Sequence, residues 1–150
     1  MDWLVFAIAF AACVAAGSTG ALFSPGAWYR GLSKPVWTPP DWLFPIAWTV
    51  LYLGISVAAA RVAPGEAGGQ AMALWALQIA LNTLWTPVFF GKRRIGGGLV
   101  VIGALWLTVA AAAATYFEAD PLAGAIFCVY LVWVSYAAAL NFAIWRRNPA

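Results

Sequence analysis

The sequence predicts an all-α membrane protein, a bundle of five transmembrane helices with a folded loop between helices 1 and 2. Charged residues make up 9% of the chain and apolar residues 65%, whereas a soluble domain spends about a quarter of its residues on charge. The chain also contains five uncharged stretches, and each reaches the roughly 20 residues that one crossing needs. Helices are required because backbone groups in lipid need internal partners, and the stretches lack the alternation of a membrane barrel.

The five spans take up nearly the whole chain, so residues 1–150 are predicted to form a single domain. The predicted spans are about 3–23, 42–61, 69–91, 95–117 and 121–146.

The connection after span 1 is the longest in the protein and is rich in proline. Loops longer than about 12 to 15 residues in a compact domain tend to be functional or disordered. Trp28, Tyr29 and Trp37 argue against disorder, because such rings tend to be buried. We therefore expect residues 24–41 to form a folded cap over one end of the bundle.

Two prolines indicate where helices begin and bend. Span 2 is predicted to start with Asp41 as its N-cap and with Pro45 in its first turn, where a missing N–H costs little. Pro87 removes the helical hydrogen bond to the Thr83 carbonyl and predicts a local kink in span 3. The later connections are short, so spans 2 to 5 are expected to pack as an up-and-down bundle of sequential neighbours.

Small residues at helical spacing on span 3 let another helix approach closely. They fit a homodimer interface or contacts within one chain, and the sequence leaves both open. These residues are Gly69, Ala73, Ala76 and Ala80.

The basic residues are distributed unevenly between the two ends of the spans. Of the eight Lys and Arg residues, all but Arg61 fall at one end. Because Lys and Arg favour the cytoplasmic side, the N-terminus is predicted outside and the C-terminus in the cytoplasm. These few bases lie where topology requires them, so nucleic-acid binding is not predicted.

The absence of histidine and of charged residues inside the spans limits the possible functions. Histidine is absent from the sequence, which removes the commonest metal ligand and the usual acid or base near neutral pH. The interiors of the spans lack Asp, Glu, Lys and Arg, so coupled proton or sodium pumping is disfavoured. We therefore predict no metal site, no obligatory cofactor and no conventional enzyme. Cys13 and Cys128 are interpreted as small packing residues within spans.

Ten tryptophans in 150 residues are the second anomaly of the composition. Tryptophan favours the membrane interface, but Trp106 and Trp133 lie near the middle of their spans, and Trp48 lies a third of the way along span 2. A buried indole needs a partner for its N–H, so deep tryptophans are expected to face protein or a ligand. The interface accounts for Trp3, Trp42, Trp75 and Trp145.

Aromatic and amide side chains gather toward the basic end of the spans and predict an apolar cavity that takes a flat hydrophobic ligand. Asn82 and Asn141 either supply its polar contacts or hydrogen-bond between helices. Arg30 and Lys34 near the rim either contact an anionic tail or serve topology alone. The predicted lining is Trp28, Trp37, Trp48, Tyr52, Asn82, Trp85, Phe89, Trp133, Ala137, Leu140 and Asn141.

Four motifs, in order along the chain, carry a resemblance to a known family. They are Trp28-Tyr29 followed by Lys34-Pro35-Val36-Trp37-Thr38-Pro39-Pro40, then residues 45–52 (PIAWTVLY), residues 82–90 (NTLWTPVFF), and Tyr130-Leu131-Val132-Trp133 leading to Leu140-Asn141-Phe142. The chain resembles a bacterial member of the TspO/MBR family, the translocator proteins once called peripheral-type benzodiazepine receptors. The resemblance covers essentially the whole chain.

The resemblance implies a five-helix bundle, commonly a homodimer, in a bacterial cell membrane. It also implies binding of porphyrins such as protoporphyrin IX and haem, and of sterols and isoquinoline or benzodiazepine-type drugs. In relatives, the tryptophans matching Trp28, Trp48 and Trp133 are associated with porphyrin binding and light-dependent porphyrin breakdown. Without histidine, the ring faces and acidic edges of the tetrapyrrole would have to hold it.

Three functions remain open at this stage. The first is a tetrapyrrole-binding membrane protein that senses, transports or regulates porphyrins. The second is light-dependent porphyrin degradation, in which Trp48 and Trp133 would be the catalytic residues. The third is a sterol or lipid carrier, which is weakened because Phe142 stands where the family's sterol pattern has tyrosine.

Overall fold

The computed structural model describes residues 1–149 and contains five helices long and apolar enough to cross a membrane. This confirms the predicted fold class, and the spanning helices begin and end within two residues of the predicted spans. The short helix α2 lies in the connection after the first span. The helices are α1 Trp3–Leu22, α2 Ala27–Gly31, α3 Leu43–Val62, α4 Gly68–Thr86, α5 Ile95–Ala119 and α6 Pro121–Arg147.

The last turn of the third span is π-helical, Pro87–Gly91, and continues directly from α4. Pro87 has no N–H to give to the Thr83 carbonyl. The Lys92 N–H reaches five residues back and donates to the Pro87 carbonyl at 2.8 Å. The kink expected at Pro87 takes the form of this widened turn, which leaves Phe89 buried.

The start of α3 differs from the prediction. Trp42 occupies the N-cap position, and within residues 1–149 no side chain caps this helix. The prediction that Asp41 is the cap is wrong, because the helix begins one residue later than a cap at Asp41 requires. Pro45 does lie in the first turn, as expected. Carboxylates cap two other helices: Asp2 accepts from the first turn of α1, and Asp120 from that of α6.

The spanning helices form a ring in the order α1, α3, α6, α5, α4, with α4 packing back against α1. Sequential spans pack together at α4–α5 and α5–α6, as predicted. The same prediction is wrong for α3 and α4, which contact each other little. The reason is that α3 buries residues over much of its length and circumference, so it needs α1 on one side and α6 on the other.

The two cysteines differ in their surroundings. Cys13 of α1 is fully buried, and the Ser56 hydroxyl of α3 lies 3.7 Å from its sulfur. It therefore packs at a helix contact, as predicted. Cys128 lies exposed on α6, so interpreting it as a packing residue of the monomer is wrong.

The connection between α1 and α3 is folded, as predicted. Tyr29 of α2 is buried, and the Lys34 ammonium donates to the Tyr29 carbonyl at 2.7 Å and to the Arg30 carbonyl at 3.3 Å. These bonds satisfy carbonyls that the end of a short helix leaves free.

Hydrogen bonds fasten this loop to α6 and to Asn148 just beyond its end. Ser33 N–H donates to Asn148 Oδ1 at 3.0 Å, and Asn148 Nδ2 donates back to the Ser33 carbonyl at 2.9 Å. The Tyr136 hydroxyl donates to the Trp37 carbonyl at 2.8 Å. The loop therefore covers the basic end of the ring as a fixed cap.

The opposite end of the ring is joined by an ion pair. Arg61 Nε at the end of α3 donates to Asp120 Oδ2 at 2.8 Å, between α5 and α6. This hydrogen bond is the main reason why the pKa of Asp120 lies below its ordinary value. The Asp2 N–H also donates to the Ala60 carbonyl at 2.7 Å, which ties the start of α1 to the same end of α3.

Candidate ligand-binding cavity

A cavity of about 690 Å³ lies within the ring of helices, toward the end that carries the basic residues. Its walls come from all five spanning helices, and the end nearest the loop, called its mouth below, is lined by Pro25, Tyr29 and Asp41. Most lining side chains are apolar or aromatic. The size and composition are those of a small-molecule site, which is typically about 300–1,000 Å³ and mostly apolar.

Aromatic rings form two parts of the wall. On α3, Trp48 and Tyr52 lie with ring centroids 5.5 Å apart. At the end of α4, Trp85 stacks on Phe89 at 4.9 Å with only 19° between the planes, and Phe90 meets both rings edge-on. Because each ring is held by another ring, the faces are fixed before a ligand arrives.

Most of the predicted lining residues meet at this cavity. They come from α3, from α4 with its π-helical turn, and from α6. On each helix, neighbouring members of the set lie about one turn apart or closer, so they share one face. This is the spacing that the motifs show in the sequence. The predicted residues that line the cavity are Trp48, Tyr52, Asn82, Trp85, Phe89, Ala137, Leu140 and Asn141.

Three predicted tryptophans lie outside the described lining. Trp133 stands behind Trp48, with ring centroids 6.3 Å apart and planes almost perpendicular. Trp28 packs edge-on against Phe89 at 5.8 Å, and Trp37 packs against Tyr136 at 5.7 Å. These three rings therefore support the cavity wall and the cap from the outside.

Trp133 also carries an unusual polar group. Its indole N–H is buried and has no hydrogen-bond partner among the described residues. Leaving a buried donor unpaired costs about 1–3 kcal/mol. A group that accepted this bond would therefore be stabilising at this position.

The two asparagines are already hydrogen-bonded between helices. Asn82 Oδ1 accepts from the Tyr52 hydroxyl at 2.8 Å. Asn141 Oδ1 accepts from the Trp85 indole at 3.1 Å, and its amide donates to the Ile95 carbonyl at 3.1 Å. Both roles considered for these amides are therefore present, because they line the cavity and also hydrogen-bond between helices.

A buried polar chain continues from Asn82 and was not predicted from the sequence. The Asn82 amide donates to the Tyr130 hydroxyl at 3.1 Å, and that hydroxyl donates to Gln78 Oε1 at 2.9 Å. Gln78 is fully buried, and its amide nitrogen lacks a partner within residues 1–149. Gln78 lies four residues before Asn82, so helical spacing was the signal that could have found it.

Two tryptophans depart from the expectation based on their depth. Trp75 was assigned to the membrane interface, but it is 5% exposed and its indole donates to the Ile55 carbonyl at 3.1 Å. That assignment is wrong. Trp106 lies mid-span yet is 37% exposed on the outside of α5, where its indole donates to Ser135 at 2.7 Å. A nearby hydroxyl is enough to satisfy an indole on a lipid-facing surface.

The charges at the mouth differ from those expected. Arg30 and Lys34 lie in the loop and are absent from the described lining, with the Lys34 ammonium bound to loop carbonyls. Asp41 does line the cavity. Burial, followed by the charge of the Asp41 carboxylate, raises the pKa of Tyr29 to about 12, and both residues line the mouth.

Comparison with known proteins identifies the family. The sequence model of the TspO/MBR family matches residues 9–146, nearly the whole chain. The chain belongs to the TspO/MBR family. The resemblance drawn from the four motifs is therefore confirmed, and with its five apolar helices this TspO/MBR protein is an integral, multi-pass membrane protein.

Individual relatives agree with this assignment. The chain is 51% identical to Protein CrtK of Rhodobacter capsulatus, over 99% of this chain and 96% of the relative. It is also 51% identical to the Tryptophan-rich sensory protein of Cereibacter sphaeroides, over 99% and 94%. The Translocator protein of Homo sapiens is 35% identical over 81% of this chain and 75% of its own length.

Proposed function

We propose that this protein binds tetrapyrroles such as protoporphyrin IX or haem in the cavity, and that this binding serves porphyrin sensing, transport or regulation in a bacterial membrane. The observation that carries the proposal is the cavity itself, about 690 Å³ in volume and walled by Trp48, Tyr52, Trp85 and Phe89. Fixed aromatic faces favour a flat aromatic ligand, because offset stacking adds about 0.5–1.5 kcal/mol to the burial of apolar area.

The side chains available fit a tetrapyrrole held by its faces. Histidine is absent from the sequence, so iron in a bound haem gains no histidine ligand. The unpaired indole N–H of Trp133 lies one ring behind Trp48. A small rotation of Trp48 that let a ligand acceptor reach this donor would remove the cost of leaving it unpaired. The same cavity would accept other flat, apolar molecules, including isoquinoline and benzodiazepine-type compounds.

The names of the relatives support a role in sensing or transport. One bacterial relative is a tryptophan-rich sensory protein, and the animal relatives are translocator proteins. One name describes sensing and the other translocation, and a membrane protein that senses or moves a small molecule needs a site that takes the molecule up. The cavity supplies such a site.

A porphyrin titration in detergent tests this function. We expect saturable quenching of tryptophan fluorescence by protoporphyrin IX, and roughly tenfold weaker binding in Trp48→Leu, equivalent to about 1.4 kcal/mol. The matched control is Trp3→Leu, because Trp3 is 69% exposed at the far end of α1. Failure to saturate, or equal affinity in Trp48→Leu and Trp3→Leu, would remove the cavity as the porphyrin site.

A second candidate function is light-dependent porphyrin degradation. The edge contact between Trp48 and Trp133 favours it, because an indole at the cavity wall is backed by a second oxidisable indole. In this reaction, light-excited porphyrin activates dioxygen, and the activated oxygen oxidises the porphyrin or a nearby indole. Loss of porphyrin absorbance under illumination should disappear in the Trp48→Phe, Trp133→Phe double variant, and unchanged loss would eliminate this role for the pair.

We propose the orientation given by the basic residues, with the N-terminus outside and the C-terminus in the cytoplasm. Arg30, Lys34 and residues 92–94 lie at the capped end of the ring together with the end of α6, and this side favours the cytoplasm. Labelling of a single cysteine introduced at Glu66 in a cysteine-free background tests it. A membrane-impermeant reagent should reach that cysteine from outside intact cells.

We also propose a homodimer through α4. The small residues of this helix all lie exposed on the monomer and allow close helix approach; they are Gly69, Ala73, Ala76 and Ala80. Ala76→Phe should reduce the dimer fraction in detergent, whereas Gly103→Phe on the outer face of α5 should leave it unchanged.

A further inference from the structure

One charged side chain lines the cavity. Among the described lining residues, Asp41 alone carries a charge, and it lies at the mouth, where the loop meets α3. Its side chain is exposed, and it takes part in no hydrogen bond or ion pair within residues 1–149. This carboxylate is therefore free to interact with whatever enters the mouth.

Three other polar side chains at or near the cavity have partners already. Asn82 and Asn141 each accept one hydrogen bond and donate one to neighbouring helices. The Lys34 ammonium donates to carbonyls of the loop. A ligand thus meets an apolar interior with satisfied amides and an unpaired negative charge at the entrance.

A single carboxylate at the edge of an apolar cavity has a predictable effect on ligands. Protein replaces part of the water around it, so charge interactions there are stronger than in bulk water. A ligand carboxylate held close to Asp41 is repelled, whereas a cation or a hydrogen-bond donor is attracted. Salt weakens the effect because the mouth is open to solvent.

We infer that Asp41 sets the charge preference of the cavity, weakening the binding of planar ligands that carry carboxylates at the mouth and favouring neutral or cationic ones. This inference rests on the proposed function of the cavity. It assigns to Asp41 a role in specificity, in place of the helix cap that its position in the sequence indicates.

The experiment compares two probes that share one ring system. Protoporphyrin IX carries two carboxylates, and its dimethyl ester carries none. We expect Asp41→Asn to bind protoporphyrin IX about three- to tenfold tighter than the wild type at low salt. Binding of the dimethyl ester should change less than twofold, and high salt should reduce the gain for the acid.

Two matched variants make the result specific. Asp41→Glu keeps the charge and should keep the preference of the wild type. Glu66→Gln removes an exposed carboxylate from the connection at the opposite end of the ring, so it should alter neither affinity. Unfolding temperatures measured for all variants identify any that lose the fold, and Asp41→Glu then provides the comparison at the same position.

The outcomes separate this inference from the proposed function. If the wild type binds neither probe, the proposed function fails and the inference fails with it. If both probes bind and Asp41→Asn leaves their affinity ratio unchanged, the inference is overturned while porphyrin binding stands. Equal tightening of acid and ester, or weaker binding of the acid, overturns it as well.

Discussion

Tyr130 of α6 and Asn82 of α4 are joined by a buried hydrogen bond of 3.1 Å, and this bond connects the cavity wall to the protein core. The Tyr130 hydroxyl also donates to Gln78, so one phenol holds two amides of α4. Because the Tyr130 hydroxyl lies between these two amides, the largely apolar bundle contains a connected chain of polar side chains at its centre. A buried amide that loses its partner is costly.

Tyr130→Phe is expected to lower the free energy of unfolding by about 1–3 kcal/mol, because it leaves polar atoms of Asn82 and Gln78 unpaired. Denaturant unfolding in detergent measures it. Tyr116→Phe is the control, since the Tyr116 hydroxyl makes a single bond, to the Ala71 carbonyl at 3.2 Å. A loss in Tyr130→Phe no larger than that in Tyr116→Phe would contradict the importance of the chain.

Gly98→Ala is expected to disturb the cavity wall. A Cβ at this position would lie 2.8 Å from Phe89 Cδ2 and 3.0 Å from Asn141 Oδ1, and both residues line the cavity. Overpacking of this kind costs about 1–3 kcal/mol, and porphyrin affinity should fall with it. Gly103→Ala on the same helix meets open space and should be neutral or slightly stabilising. If the two substitutions had equal effects on unfolding and on porphyrin affinity, Phe89 and Asn141 would be able to move aside for the added methyl group, and the prediction would be wrong.

Lys34→Gln is expected to loosen the cap. The Lys34 ammonium donates to the carbonyls of Tyr29, Arg30 and Leu32 and lies 4.6 Å from the centroid of the Tyr29 ring. Hydrogen bonds to a charged group contribute about 1.5–3 kcal/mol, so local opening of residues 24–42 should rise roughly tenfold. Limited chymotrypsin digestion measures this rate. Arg30→Gln is the control, and equal cleavage of the two variants would argue against a structural role for Lys34.

Stability is expected to fall in acid through Asp120. The pKa of its carboxylate is lowered in the folded protein, chiefly by the hydrogen bond from Arg61. The stabilisation is therefore present above the ordinary value of 3.8 and is lost as pH falls below it. The wild-type unfolding temperature should start to drop as the pH falls below about 4, and Asp120→Asn should show a smaller drop. Glu118→Gln is the control, and identical pH profiles for wild type and Asp120→Asn would contradict this account.

The sequence was sufficient for the helices because the signals for them are local. Uncharged apolar runs determine where spans such as Ile95–Ala119 lie, and charges or prolines end them. Pro87 likewise predicted a local kink from its own chemistry, although not that the kink takes the form of a widened turn. Trp48 and Tyr52 were assigned to the cavity because they lie four residues apart, on one face of α3.

The parts that the sequence did not reveal depend on which helices become neighbours. The burial of Trp75 follows from its reach to the Ile55 carbonyl of α3, and the place of Trp133 behind Trp48 follows from the packing of α3 against α6. Neither contact leaves a local pattern in the sequence. Asp41 was misread for a similar reason, because a carboxylate beside a helix start indicates a cap until the start is known to lie one residue later.

The order of helices around the ring has a consequence for biosynthesis. α3 supplies Trp48 and Tyr52 to the cavity but packs between the first and the last spans. The cavity is therefore completed only after the ribosome has released α6 into the bilayer. A nascent chain that stops before Pro121 leaves one side of α3 without its partner helix and exposed to acyl chains, so premature termination yields a product that quality-control proteases can recognise.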